Sequence, residues 1–316
     1  MTGATTPFGQ ALCRALLAEP RVSEVVAVGR EASDGGHIND ARYRYVSTDL
    51  TRSRKVRDLL WGPARQCNAV VHAALHRSPT RVGQRAHRLN VDGTRVLLEL
   101  AEEHPNIARF IFRSSGAVYR IDARQPAVID ERQPLNLQAD APQWIRDRVA
   151  ADLTACTRMG MSPLKVVVLR PAECVAPHMG SQLYDYLNAP VCFRPLGYDP
   201  IINVISIADL VAATLLATLS EAQGIYNIPG RDTLSMAALI RLAGHAPLAA
   251  PGVLMAPLYR ARAWVEGSEF RYDLNHWRFH FNGTLSGDRA ETDLGYVPQA
   301  PVDFSSIRRR SDERAA

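Results

Sequence analysis

Lysine is almost missing from this chain: of 37 basic residues, all but Lys55 and Lys165 are arginine. The arginines are spread along the whole length, so the formal net charge of +5 reads as solvated surface, not as a nucleic-acid stripe. Cysteine is sparse too. Cys13, Cys67, Cys156, Cys174 and Cys192 are odd in number, far apart and without C-x-x-C spacing. That argues against a disulfide frame or a zinc site and for reduced residues in a cytoplasmic protein. No apolar run approaches the roughly 20 residues of a membrane span, and no basic-then-apolar leader opens the chain, so a soluble protein is expected. A Gly-x-Ser-x-Gly elbow is absent, which argues against a serine hydrolase. His276 and His280 stand four apart without a third ligand, so no metal site is expected.

What is present begins at once. Thr2-Gly3-Ala4-Thr5-Thr6-Pro7-Phe8-Gly9 reads as a glycine turn opening a helix, with Phe8, Leu12, Ala15 and Leu16 on one buried face. Thr6 suits the cap and Pro7 the first turn, where a missing N–H costs nothing. Such a helix start offers free N–H groups and a positive dipole end to a phosphate.

Strand and helix patterns then alternate. Val25–Val28, Tyr43–Ser47, Ala69–Ala74, Phe110–Phe112 and Leu164–Leu169 read as strands, and Lys55–Leu60, the segment after Asn90 and Trp144–Thr157 as helices. This rhythm predicts an α/β fold with a doubly wound parallel sheet. Further on, Ile201–Ile207 is apolar, Ala208–Leu219 helical and Ile225–Ile228 a strand, with helices over Leu234–Leu242 and Leu285–Leu294. The Rossmann domain is expected over 1–175, with its last strand and helix from 201–228. Residues 176–200 and 229–316 then form a smaller substrate lobe, and the Arg308-Arg309-Arg310 tail is expected to fray.

In this order the residues resemble the extended short-chain dehydrogenase/reductases, the NAD-dependent epimerase/dehydratase group, over almost the whole chain. Thr2-Gly3-x-x-Thr6-x-x-Gly9 is similar to the family's T-G-x-x-G-x-x-G turn, and Thr5 falls within it. Asp49-Leu50 matches the adenine-contacting acid, His72-Ala73-Ala74 the segment along the cofactor, and Asn90-Val-x-Gly93-Thr94 the following helix start. Ser114-Ser115-Gly116-Ala117-Val118-Tyr119 resembles the strand end whose second serine holds the substrate oxygen. Asp130-Glu131, Leu169-Arg170-Pro171, Tyr226-Asn227-Ile228 and Leu294-Gly295-Tyr296 match later landmarks. The resemblance also implies a helix, Trp144–Thr157, that packs against its copy in related dimers.

Three departures shape the functional reading. The family's Tyr-x-x-x-Lys pair, which puts a phenol and an ammonium on one helix face for proton exchange, occurs nowhere; Trp144 and Arg148 hold its place. Tryptophan has no titratable proton near neutral pH, and arginine stays charged without relaying one. Arg148 is open to a ribose, phosphate or surface ion-pair role, Trp144 to stacking or core packing, and Asp147 or Asp152 to acting as substitute acid. Second, Thr6 replaces the middle glycine, its bulk hindering the pyrophosphate unless its hydroxyl bonds a phosphate oxygen. Third, only Met1 precedes the turn where the family has a central strand, pointing to a start upstream.

Gly29-Arg30-Glu31 ends the second strand position, and Arg30, with Arg14 as helper, favours NADP; Glu31 would serve NAD if the register shifted. Ser115, Trp144 and Arg148 are thus the catalytic candidates. Gly3, Thr5, Thr6, Gly9, Arg30, Asp49, Leu50, His72, Ala73, Ala74 and Asn90 are the cofactor candidates. His72 is expected to be packed, not basic, and His178 at most a substrate contact. The aromatic- and arginine-rich segment 253–281 reads as a cap over the crevice, a peripheral membrane contact or a single-strand nucleic-acid platform. Two functions are weighed: an atypical NADP- or NAD-dependent oxidoreductase or epimerase on a small or lipid-like substrate, and an inactive dinucleotide sensor or scaffold.

Overall fold

The computed structural model describes residues 1–35, 38–76, 83–266 and 270–307, so the arginine tail at 308–310 lies outside the described residues. Chain order runs α1 (Pro7–Ala18), β1 (Val25–Gly29), β2 (Tyr43–Ser47), α2 (Ser53–Trp61), β3 (Ala69–His72), α3 (Gln84–His87), α4 (Gly93–Glu103) and β4 (Arg109–Arg113). A π-helical turn, Arg88–Asp92, joins α3 to α4. Then follow β5 (Val128–Ile129), α5 (Gln143–Cys156), β6 (Lys165–Pro171), β7 (Glu173–Cys174), α6 (Gln182–Leu187), β8 (Cys192–Pro195), β9 (Ile201–Ile205), α7 (Ile207–Leu219) and β10 (Gly224–Ile228). The chain continues with β11 (Asp232–Ser235), α8 (Met236–Leu242), β12 (Pro247–Ala250), α9 (Gly252–Glu266), β13 (Thr284–Leu285) and α10 (Asp288–Leu294).

β3, β4, β6 and β10 pair in parallel, and β1 pairs in parallel with β2. Between the two groups Thr2 bridges Val28 on one side and His72 on the other. The short strands β1 and β4 are buried throughout, as a sheet covered on both faces requires. One apolar layer gathers α1 and α7 around Phe8, Leu12, Ile111, Leu169 and Leu210; the other gathers α2, α4 and α5 around Val56, Leu97, Phe110 and Ala151. A separate core, including Tyr186, Leu239, Tyr259, Phe270 and Phe279, holds the smaller lobe.

The central position of the sheet is a stub. Thr2 N donates to Val71 O at 2.8 Å, Val28 N to Met1 O at 2.8 Å, and the Met1 amino group to Val26 O at 2.9 Å. Below the stub the facing edges of β1 and β3 border a slot of about 380 Å³, lined by Val25, Val26, Ala69 and Val71 among others. Burial pushes the Met1 amino pKa down.

Two expected helices begin later than the pattern suggested. Leu234 and Ser235 belong to β11, paired antiparallel with β9, and Ser235 caps α8 by accepting from Ala238 N. Leu285 ends β13, paired with β5, so α10 starts only at Asp288. In both cases strand pairing captures the first apolar residue. No described helix is long and apolar enough to cross a membrane.

Candidate cofactor and active site

The glycine turn forms because nothing larger fits. Gly3 has φ +76°, and a Cβ there would lie 3.0 Å from the Ala73 and Ala74 backbone. A Cβ on Gly9 would stand 2.2 Å from Gly3 O. Thr6 caps α1: its hydroxyl donates to Gly3 O at 2.9 Å and accepts from Gly9 N at 3.0 Å. The hydroxyl is therefore committed to the turn, a correction to its expected use on a phosphate.

A cavity of about 490 Å³ opens beside this turn. Gly3, Thr5, Thr6, Arg30, Asp49, Leu50 and Ala74 line it, joined by Glu31, Leu75, His76 and Arg85. Asp49 accepts from Thr51 N and Oγ1, the hydroxyl at 2.7 Å, and that bond holds its carboxyl below the usual range. Glu31 folds back to accept from Arg30 N.

Four expected cofactor residues support this cavity and do not line it. Gly9 packs under Gly3, and Ala73 presents its backbone to the same glycine. His72 is fully buried between Thr2 Oγ1 (2.8 Å) and Thr94 Oγ1 (2.9 Å), stacked on Phe112. Burial and the positive Met1 amine and Arg113 push its pKa down to about 3, so it is a neutral packed residue, as its reading allowed. Asn90, carried on the π-turn, accepts from His76 N at 2.6 Å and so pins the loop after β3.

The catalytic candidates converge. Ser115, at the end of β4, accepts a hydrogen bond at 3.0 Å from Nη1 of Arg148 on α5. One helical turn earlier Trp144 stacks under that guanidinium at 4.9 Å. Trp144 itself is core, packed with Ala117, Val118, Ile145 and Val149, with its Nε1 unpartnered. Arg148 thus reaches inward to Ser115, and Trp144 takes the packing role left open for it.

Neither aspartate of α5 is a spare acid. Asp152, fully buried, accepts from Ser114 Oγ at 2.5 Å and from Arg170 through Nε (3.0 Å) and Nη2 (2.5 Å). Arg170 extends the network to Tyr119, whose hydroxyl donates to Asn227 at 2.6 Å. Burial lifts the Tyr119 pKa to about 12 despite Arg170. Asp147 is fixed by His87 and Gln143.

Sequence reasoning missed Glu173. It lines two cavities that meet at Ser115: one shared with Leu75, Arg113 and Arg148, the other walled by Ile121, Ile129, Ile202, Trp277, Phe281 and Leu285. Its carboxylate accepts from Ser181 at 2.8 Å and Arg278 at 2.6 Å. Burial alone would raise its pKa, but Arg278, Ser181 and Arg148 together lower it. The available signal was its place just beyond a parallel strand's carboxyl end, where ligands bind such sheets. Three cavities therefore follow one another: the glycine-turn pocket, linked through Leu75 to the Ser115–Arg148 point, then the apolar chamber.

A doubly wound sheet with a glycine turn and ligand-facing strand ends defines a Rossmann-type protein. The model of the NAD dependent epimerase/dehydratase family matches residues 1–192, and the chain belongs to that family. An uncharacterized protein of Mycobacterium tuberculosis is 25% identical over 312 residues, covering 95% of this chain and 79% of that protein. Among solved structures, the dTDP-glucose 4,6-dehydratase of Bacillus anthracis in complex with NAD is similar at TM-score 0.68 and 14% identity, covering 99% of this chain and 95% of that one. The UDP-glucose 4-epimerase of Thermotoga maritima with UDP-glucose is similar at TM-score 0.70 and 16% identity, covering 99% and 97%.

Proposed function

We propose that this protein is a dinucleotide-dependent oxidoreductase or epimerase acting on an apolar carbonyl or carbinol compound. The observation that carries the reading is the Ser115–Arg148 contact, set where the glycine-turn cavity meets the apolar chamber. The Bacillus relative was solved with NAD. Here the turn at Gly3 and the N-terminus of α1 would hold a pyrophosphate, and Asp49-Leu50 the adenine side. Arg30 and Arg85 in the same cavity favour a 2′-phosphate, hence NADP. A bound nicotinamide supplies the hydride.

What the chain itself supplies is polarisation. Ser115 takes an N–H from Arg148 on its oxygen, which leaves the hydroxyl proton free to donate to a substrate oxygen. The permanent guanidinium charge stabilises negative charge developing there. Trp144 offers no phenolic proton. Glu173, held ionised, accepts a proton more readily than it donates one near neutral pH.

Calorimetric titration of NADPH, NADH, NADP and NAD tests the cofactor assignment. Binding with a preference for the phosphorylated pair, abolished in Arg30→Ala, is the expected result; folded protein that binds none of the four overturns the reading. In a turnover screen with apolar ketones, Ser115→Ala and Arg148→Ala should each lower kcat/KM by about 100-fold. Binding without turnover of any ketone or alcohol would favour a cofactor sensor instead.

A further inference from the structure

Helix α9 has the wrong outer face for a solvent-exposed helix. Its inner face, Met255, Tyr259 and Arg262, is buried in the lobe core. Its outer face should carry charge. Instead Val253, Pro257, Arg260 and Trp264 succeed one another at spacings of four, three and four residues, one stripe along the helix. Val253 is 84% exposed and Trp264 88%, with Leu254 beside them. Arg260 is the single charge on the stripe, two-thirds exposed and at the 3.9 Å edge of ion-pair range from Asp273, which Arg271 holds more closely at 2.6 Å. Exposed Leu248 on β12 and Leu196 just after β8 add to the apolar surface of this lobe. From Thr233 to Val265 the sequence contains no aspartate or glutamate, while it contains Arg241, Arg260 and Arg262.

We propose that α9 lays this lobe on the surface of an anionic lipid bilayer. Val253 and Trp264 enter the headgroup boundary, and Arg260 sits among the phosphates. Tryptophan and arginine on one stripe suit that boundary, where one side is apolar and the other charged. Within 233–265 no acidic residue opposes an anionic surface; Glu266 comes only at the end of α9, and Asp273 is paired with Arg271. A second copy of the chain is the weaker occupant. The stripe is one side chain wide on a 15-residue helix, about 22 Å long, and offers far less than the about 800 Å² per partner of a stable protein interface. A bilayer demands no such matching shape. The helix is too short to span, so it lies in the plane of the surface. The same segment runs on to Trp277, Arg278 and Phe281 in the wall of the apolar chamber. The proposal does not depend on turnover or on the cofactor.

Flotation of the full chain with vesicles tests it, using phosphatidylglycerol–phosphatidylcholine mixtures against pure phosphatidylcholine. The expected result is flotation with the anionic vesicles, weakened by salt. It should fall at least tenfold in the Val253→Ser/Trp264→Ser variant, whose thermal midpoint stays unchanged because both side chains are exposed. Absence of flotation with anionic vesicles overturns the proposal, as does undiminished flotation of the variant. Sedimentation velocity covers the alternative: a dimer that the double substitution dissolves, without vesicle binding, also overturns it.

Discussion

His72 shows at the scale of one residue how burial turns a titratable group into a stability sensor. Its pKa is near 6.5 in an unfolded chain and about 3 here. Between those values the unfolded state binds the extra proton, so stability rises with pH. It is fully present above pH 6.5 and falls by about 1.4 kcal/mol per unit below it. Urea unfolding should therefore show about 2 kcal/mol less stability at pH 5 than at pH 7. A flat profile would mean that the histidine opens to solvent. Asp152 gives a second test at this scale. Asp152→Asn leaves Arg170 buried without its counter-ion and should cost about 4 kcal/mol, while Asp152→Asn with Arg170→Met should recover part of it. A neutral single substitution would show that water reaches the pair.

Among the elements, α1 and its turn were legible in the sequence because local chemistry alone fixes them: a threonine cap, a proline in the first turn and an apolar stripe. Gly9→Ala should cost about 3 kcal/mol and abolish dinucleotide binding, since the new Cβ meets Gly3 O at 2.2 Å. Gly252→Ala, which meets open space, is the control; thermal midpoints and calorimetry read both. The parallel strands and the place of Ser115 were equally visible. What the sequence hid depends on long-range contacts. The capture of Leu234 and Leu285 by strands is decided by β9 and β5, 30 or more residues away in the chain. Asp152 was open to an acid role because only tertiary structure sets it against Arg170. Glu173 was hidden because its partner, Arg278, lies 105 residues on. His72 and Asn90 carry the right motif, yet they hold up the pocket and do not line it.

For the whole molecule, the slot between β1 and β3 is the chief irregularity of the sheet. A last consequence follows from the Glu173–Arg278 pair. It ties β7 to the segment downstream of α9 and so works as a latch on that segment, set in the wall of the apolar cavity. A substrate carrying its own carboxylate would compete for Arg278 and spring that latch, whereas an uncharged one would leave it shut. Protease cleavage within 270–281, faster with carboxylated than with neutral ligands, would report the difference.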